Sequence, residues 1–149
     1  MKRSARINKL VELEQVDEQS AVSQLGLSRA HLEQQQLALK SLLDYRREYA
    51  DRLSLQGQSG VEATRLNDYA KFISQLDDAI ELQKHQLADA EQAVIDKQNI
   101  WRGHYQRVES LSKVVQQNIN QEQLVDRKKV ERQLDDRAGT LLGNAVKPE

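Results

Sequence analysis

The chain contains no cysteine, and its 149 residues include one proline, one phenylalanine, one tryptophan and six glycines. Without thiols there are no disulfides, thiolate metal sites or cysteine nucleophiles, a pattern compatible with a reducing compartment. So few glycines and prolines leave few places to turn, and so few aromatics leave little with which to build a globular core. No apolar run approaches the roughly 18–20 residues that span a bilayer. Residues 1–10 are basic and polar rather than a hydrophobic signal core, so the chain is expected to stay in the cytoplasm. A net charge of −1 gives no global attraction to nucleic acid or anionic lipid, and an electrostatic partner must be recognised locally.

What remains is a chain with 30% charged residues and a mean hydropathy of −0.76. Rich in Leu, Gln, Glu, Lys, Arg and Ala, it has the vocabulary of long, solvated helices, which excludes all-β and α/β folds. A broken seven-residue row, Val11, Glu18, Leu25, Leu32, Leu39, Arg46 and Leu53, marks a first amphipathic helix over about 5–55. A cleaner row follows in Leu66, Ile73, Ile80, Leu87, Val94, Trp101, Val108 and Val115, with Tyr69, Leu76, Ala90 and Leu111 three places later. This is a coiled-coil seam, and the polar residues Gln83, Lys97, His104 and Asn118 suit a two-stranded contact that leaves most of each helix wet.

The two rows are separated at about 56–60, where Gly57 is placed to close the first helix in a left-handed conformation. Ser59-Gly60-Val61-Glu62 has the S-x-x-E spacing of a capping box for the next helix. A short turn between amphipathic helices predicts an all-α fold, one long antiparallel two-helix coiled-coil hairpin over residues 1–149. The second helix runs over about 61–138 and overhangs the first; Gly139, Gly143 and Pro148 then give a loose tail over 139–149. Mirror pairing about the turn puts Tyr45 near Phe72 and Leu42 near Leu76. Past Val115 the seam breaks at Glu122 and Lys129, and the overhang has no partner within the chain.

No catalytic, cofactor-binding or metal-binding set is legible. His31, His85 and His104 are far apart and lack a His or Cys at the helical spacings of a metal site, so they read as solvated. The paired acids Asp77-Asp78, Asp135-Asp136 and Glu12-Glu14 have no cleft in which to shift a pKa. Phosphate-binding loops and nucleophile elbows are missing too. The chain reads as a non-enzyme without a cofactor.

Beside the turn, Leu42, Tyr45 and Tyr49 form their own row, and Phe72, Leu76 and Ala79 a matching one on the second helix. Two readings stand: wide seam packing, or one exposed patch across both helices, rich in aromatics as binding surfaces are. A basic group of Lys2, Arg3, Arg6 and Lys9, with Arg127, Lys128, Lys129, Arg132 and Arg137, lies away from the turn. Interleaved Asp126, Glu131, Asp135 and Asp136 argue against a nucleic-acid arm and suit a solvated helix face.

Leu42-Leu43-Asp44-Tyr45-Arg46-Arg47-Glu48-Tyr49, the Gly57 and Gly60 turn, and the stretch Leu66-Asn67-Asp68-Tyr69-Ala70-Lys71-Phe72-Ile73-Ser74-Gln75-Leu76-Asp77-Asp78-Ala79-Ile80 resemble the flagellar export protein FliJ family. Trp101 and Asp126-Arg127-Lys128-Lys129-Val130-Glu131-Arg132-Gln133-Leu134-Asp135 extend the resemblance. It implies a central stalk of the bacterial type III export apparatus, at the cytoplasmic face of the inner membrane at the flagellar base. The implied partners are the flagellar export ATPase hexamer and its regulator, the cytoplasmic domain of the export gate, and export chaperones. Carried onto this chain, Arg6, Leu10, Leu13, Arg127, Lys128, Lys129 and Arg132 would contact the ATPase ring. Leu42, Tyr45, Tyr49, Phe72, Leu76 and Ala79 would meet the gate. The stalk of a virulence type III secretion system and a generic coiled-coil scaffold are the alternatives.

Overall fold

The computed structural model describes residues 2–60 and 62–145, with side chains to residue 143. Two helices account for nearly all of them: α1, Arg3–Gln58, and α2, Ala63–Ala145. They pack against each other as a helical hairpin. Contacts divide the chain into two units, each drawing on both helices: Met1–Glu18 with His104–Glu149, and Gln19–Gly103.

The turn forms differently from its sequence signals. Gly57 stays inside α1, and Gly60, with φ of 75°, carries the left-handed conformation. The reason is local hydrogen bonding. Ser59 N–H donates to the Leu55 carbonyl at 3.2 Å and the Ser59 hydroxyl to the Gln56 carbonyl at 3.1 Å, which prolongs α1 past Gly57. Ser59 thus serves the end of α1 and is not the cap of α2. The Glu62 carbonyl accepts the first amides of α2, from Arg65 at 3.1 Å and Leu66 at 3.3 Å. Val61, the third residue of the expected capping box, lies outside the described residues.

In the unit Gln19–Gly103 the core is a narrow stripe. Ala21 and Leu25 of α1 and Leu76, Ile80 and Ala90 of α2 are buried. Between them, seam positions on both helices are half-buried at alternating three- and four-residue spacing, the signature of heptad packing. In the unit Met1–Glu18 with His104–Glu149, Val11 and Val115 are the buried apolar residues among those described. Pairing there continues beyond Val115, where the sequence pattern broke, because polar groups take over. Ser4 N–H and hydroxyl both donate to the Glu122 carboxylate, at 3.2 and 2.7 Å, and Lys2 Nζ pairs with Asp126 at 3.2 Å.

Helix α2 runs to Ala145 and does not end near 138. Gly139 and Gly143 keep right-handed dihedrals, and a lone glycine costs a helix only about 1 kcal/mol without breaking it. Pro148 and the end of the expected tail lie outside the described residues. From Gln123 to Gly143 every residue is exposed, including Val130, Leu134, Leu141 and Leu142.

Candidate interaction surface

The aromatic cluster lies in the unit Gln19–Gly103. Tyr49 stands at its centre: its ring lies 4.5 Å from Phe72, 6.1 Å from Tyr45 in a stacked arrangement, and 6.1 Å from Tyr69. The Arg52 guanidinium sits 5.3 Å from the centroid of the same ring, a cation–π contact. Gln56 of α1 donates to the Tyr69 hydroxyl at 3.1 Å. Phe72 therefore faces Tyr49 and not Tyr45, one helical turn from the mirror expectation, because α1 extends to Gln58 and α2 starts at Ala63.

The six residues of the expected patch separate into two environments. Tyr45 is 54% exposed and Phe72 37%, whereas Leu76 is only 8% exposed. Leu42, Tyr49 and Ala79 are half-buried. Leu42, Tyr49 and Leu76 occupy heptad positions, so the single exposed row narrows to Tyr45 and Phe72 with the flanks of Tyr49 and Ala79. Leu37 and Leu43 add exposed apolar surface to the same stretch of α1, at 57% and 44%. One turn away, Arg46 holds Asp77 of α2 through Nε, with a second contact from Nη2 to Oδ2 at 3.4 Å. That carboxylate holds the Arg46 guanidinium pKa above its ordinary value.

The residues expected to enter a ring lie in the other unit. Arg6, Leu10, Leu13, Arg127, Lys128, Lys129 and Arg132 are placed there, all exposed: Arg6, Leu10 and Leu13 on α1 and the four cations on α2. Seam residues Ile80 and Val115 are buried, and Leu66, Ile73, Leu87, Val94, Trp101 and Val108 are half-buried.

His104 is the histidine that the sequence misplaces. His31 and His85 are exposed, but the His104 side chain retains 21% exposure, and its Nδ1 lies 2.7 Å from Glu14 Oε1. Arg107 Nη1 approaches the same oxygen at 3.4 Å. The hydrogen bond with His104 is the main cause that lowers the Glu14 pKa; burial opposes it and Arg107 adds to it. Glu122 is lowered too, chiefly by the Ser4 hydroxyl bond. Neither pairing has a signal in sequence spacing, since the partners come from different helices.

Two long helices joined by a tight turn and paired along a heptad seam define an antiparallel coiled-coil protein. Among the described residues no helix is long and apolar enough to cross a membrane. A family model described as "Flagellar FliJ protein" matches residues 2–147, and the chain belongs to that family. Among curated relatives, the flagellar FliJ protein of Escherichia coli strain K12 is 32% identical over 101 residues, covering 68% of this chain and 69% of that protein. The flagellar FliJ protein of Salmonella typhi is 30% identical over 110 residues, covering 74% and 75% respectively. No solved structure matches the chain significantly.

Proposed function

We propose that this chain is a non-catalytic component of flagellar protein export that serves as a stalk between the export ATPase ring and the export gate, and that escorts export chaperones. The family match across residues 2–147 carries this reading. It is supported by the two kinds of surface on the hairpin. Exposed Arg6, Leu10, Leu13, Arg127, Lys128, Lys129 and Arg132 offer cations and apolar side chains to a ring. Tyr45 and Phe72 offer aromatic faces to a gate domain, of the kind that dominates binding energy at interfaces.

An asymmetric pair of helices within a symmetric ring makes the ring subunits inequivalent, and coupling follows from the differential contacts that each makes. The work would be done in the cytoplasm, peripheral to the inner membrane at the flagellar base. The chemistry of ATP belongs to the partner. Titration of the purified chain into the cognate flagellar export ATPase tests the reading: ring assembly and increased ATP turnover are expected at sub-ring stoichiometry. No effect with both proteins folded removes the stalk role. The exposed Val130, Leu134, Leu141 and Leu142 favour a self-associating scaffold as the second reading, which light scattering would reveal as a stable dimer.

A further inference from the structure

We propose that Glu14, Asp17 and His104 form a binding site for one divalent first-row transition ion, with Zn²⁺ the best match to its donors, that pins α1 to α2 in the unit Met1–Glu18 with His104–Glu149. One ligand atom from each residue lies within 4.8 Å of the other two. Glu14 and Asp17 are three residues apart on α1, so both carboxylates project from one face of the helix. His104 supplies a nitrogen from the facing helix, and donors from facing helices are how bundles assemble metal sites.

The donor chemistry selects the ion. An imidazole nitrogen with two carboxylate oxygens suits zinc and its neighbours, whereas Mg²⁺ and Ca²⁺ take oxygen ligands. Three protein ligands with a water in the fourth position is a common zinc arrangement. Bond lengths of about 2.0–2.2 Å place neighbouring donors roughly 3.3–3.5 Å apart. Nδ1 of His104 and Oε1 of Glu14 stand 2.7 Å apart across a hydrogen bond, so the ion must displace the proton between them and part them by roughly 0.6 Å, while Asp17, an exposed side chain, rotates inward. Arg107 is the competitor. Its guanidinium balances Glu14 at 3.4 Å, and with its side chain 62% exposed it can swing into solvent when the ion enters. Sequence spacing conceals this set because its third donor is 87 positions from its second along the chain.

Isothermal titration of the full chain with Zn²⁺ in phosphate-free buffer tests the site. One equivalent should bind, and His104→Gln and Asp17→Asn should each weaken binding by at least the roughly 10- to 100-fold that loss of a supporting partner costs a metal site. Arg107→Gln should tighten it several-fold. Because Asp17 is exposed, its replacement leaves the fold intact, and circular dichroism verifies this for every variant. In nitrogen-resolved NMR the His104 ring, and not His31 or His85, should shift on metal addition. Zinc binding that survives His104→Gln and Asp17→Asn, or equal binding of Mg²⁺, overturns the proposal, as does an absence of binding at millimolar Zn²⁺.

Discussion

Gln83 of α2 reaches across the seam and donates through Nε2 to two oxygens of one residue, the side-chain Oε1 of Gln35 at 2.7 Å and its backbone carbonyl at 3.1 Å. Gln83 is buried among apolar heptad neighbours. A buried polar pair of this kind fixes register, because sliding either helix leaves an amide without a partner. Gln83→Ala should destabilise the protein by about 1–3 kcal/mol in urea denaturation. Gln83→Leu should be nearly neutral in stability, yet broaden the NMR resonances of nearby seam residues as alternative registers become accessible.

Gly57, in the last turn of α1, and Gly60, in the turn itself, should respond oppositely to alanine. Gly60 holds φ at 75°, a conformation that costs an L-residue roughly 1–2 kcal/mol, so Gly60→Ala should lower the melting temperature. Gly57 is helical, and a methyl group added there would meet nothing within 4 Å. Gly57→Ala should therefore stabilise by up to about 1 kcal/mol.

Acid should loosen the unit Met1–Glu18 with His104–Glu149. The carboxyls of Glu14 and Glu122 are held below the usual value of 4.5 in the folded protein. A depressed folded pKa contributes stability that is present above the unfolded value and is lost as pH falls through the folded one. Amide exchange near Ser4 and Glu14 should accelerate as pH drops below about 4.5, after correction for intrinsic rates. Glu14→Gln and Glu122→Gln should each flatten that response.

Tyr45 and Tyr49 should separate binding from folding. Tyr49→Ala removes the ring that touches Phe72, Tyr69 and Arg52 and should cost about 1–3 kcal/mol. Tyr45→Ala should cost less than about 1 kcal/mol while retaining full helicity. If Tyr45 and Phe72 meet the gate, their alanine variants should weaken binding to the gate's cytoplasmic domain in surface plasmon resonance at unchanged helix content. Unchanged binding would remove the gate assignment.

Much of the fold was legible because period is a backbone property: the rows through Leu25 and Ile80 repeat at the heptad spacing, and their side chains are buried. Charge along a helix hides more. Glu122 interrupts the apolar row and reads as its end, but its carboxylate satisfies Ser4 at the first turn of α1, where donors have no partner within their own helix. Helix α1 has no acidic residue in its first turn to supply that function locally. Likewise, helical rows and mirror pairing placed Tyr45, Tyr49 and Leu76 in one patch, read either as exposed surface or as wide seam packing, and the structure divides them: Leu76 turns inward and Tyr45 stays outside.

The trans contact of Glu122 with Ser4 also sets an order of events. Gln56 and Tyr69 are 13 residues apart, and Gln35 and Gln83 are 48 apart, so these pairs close short loops. Glu14 and His104 are separated by 90 residues, and Ser4 and Glu122 by 118. Loop closure grows costlier with length, but each pair made near the turn shortens the loop that the next must close. The hairpin is thus built to zip outward from Gly60, and Ser4 is among the last residues to find its partner.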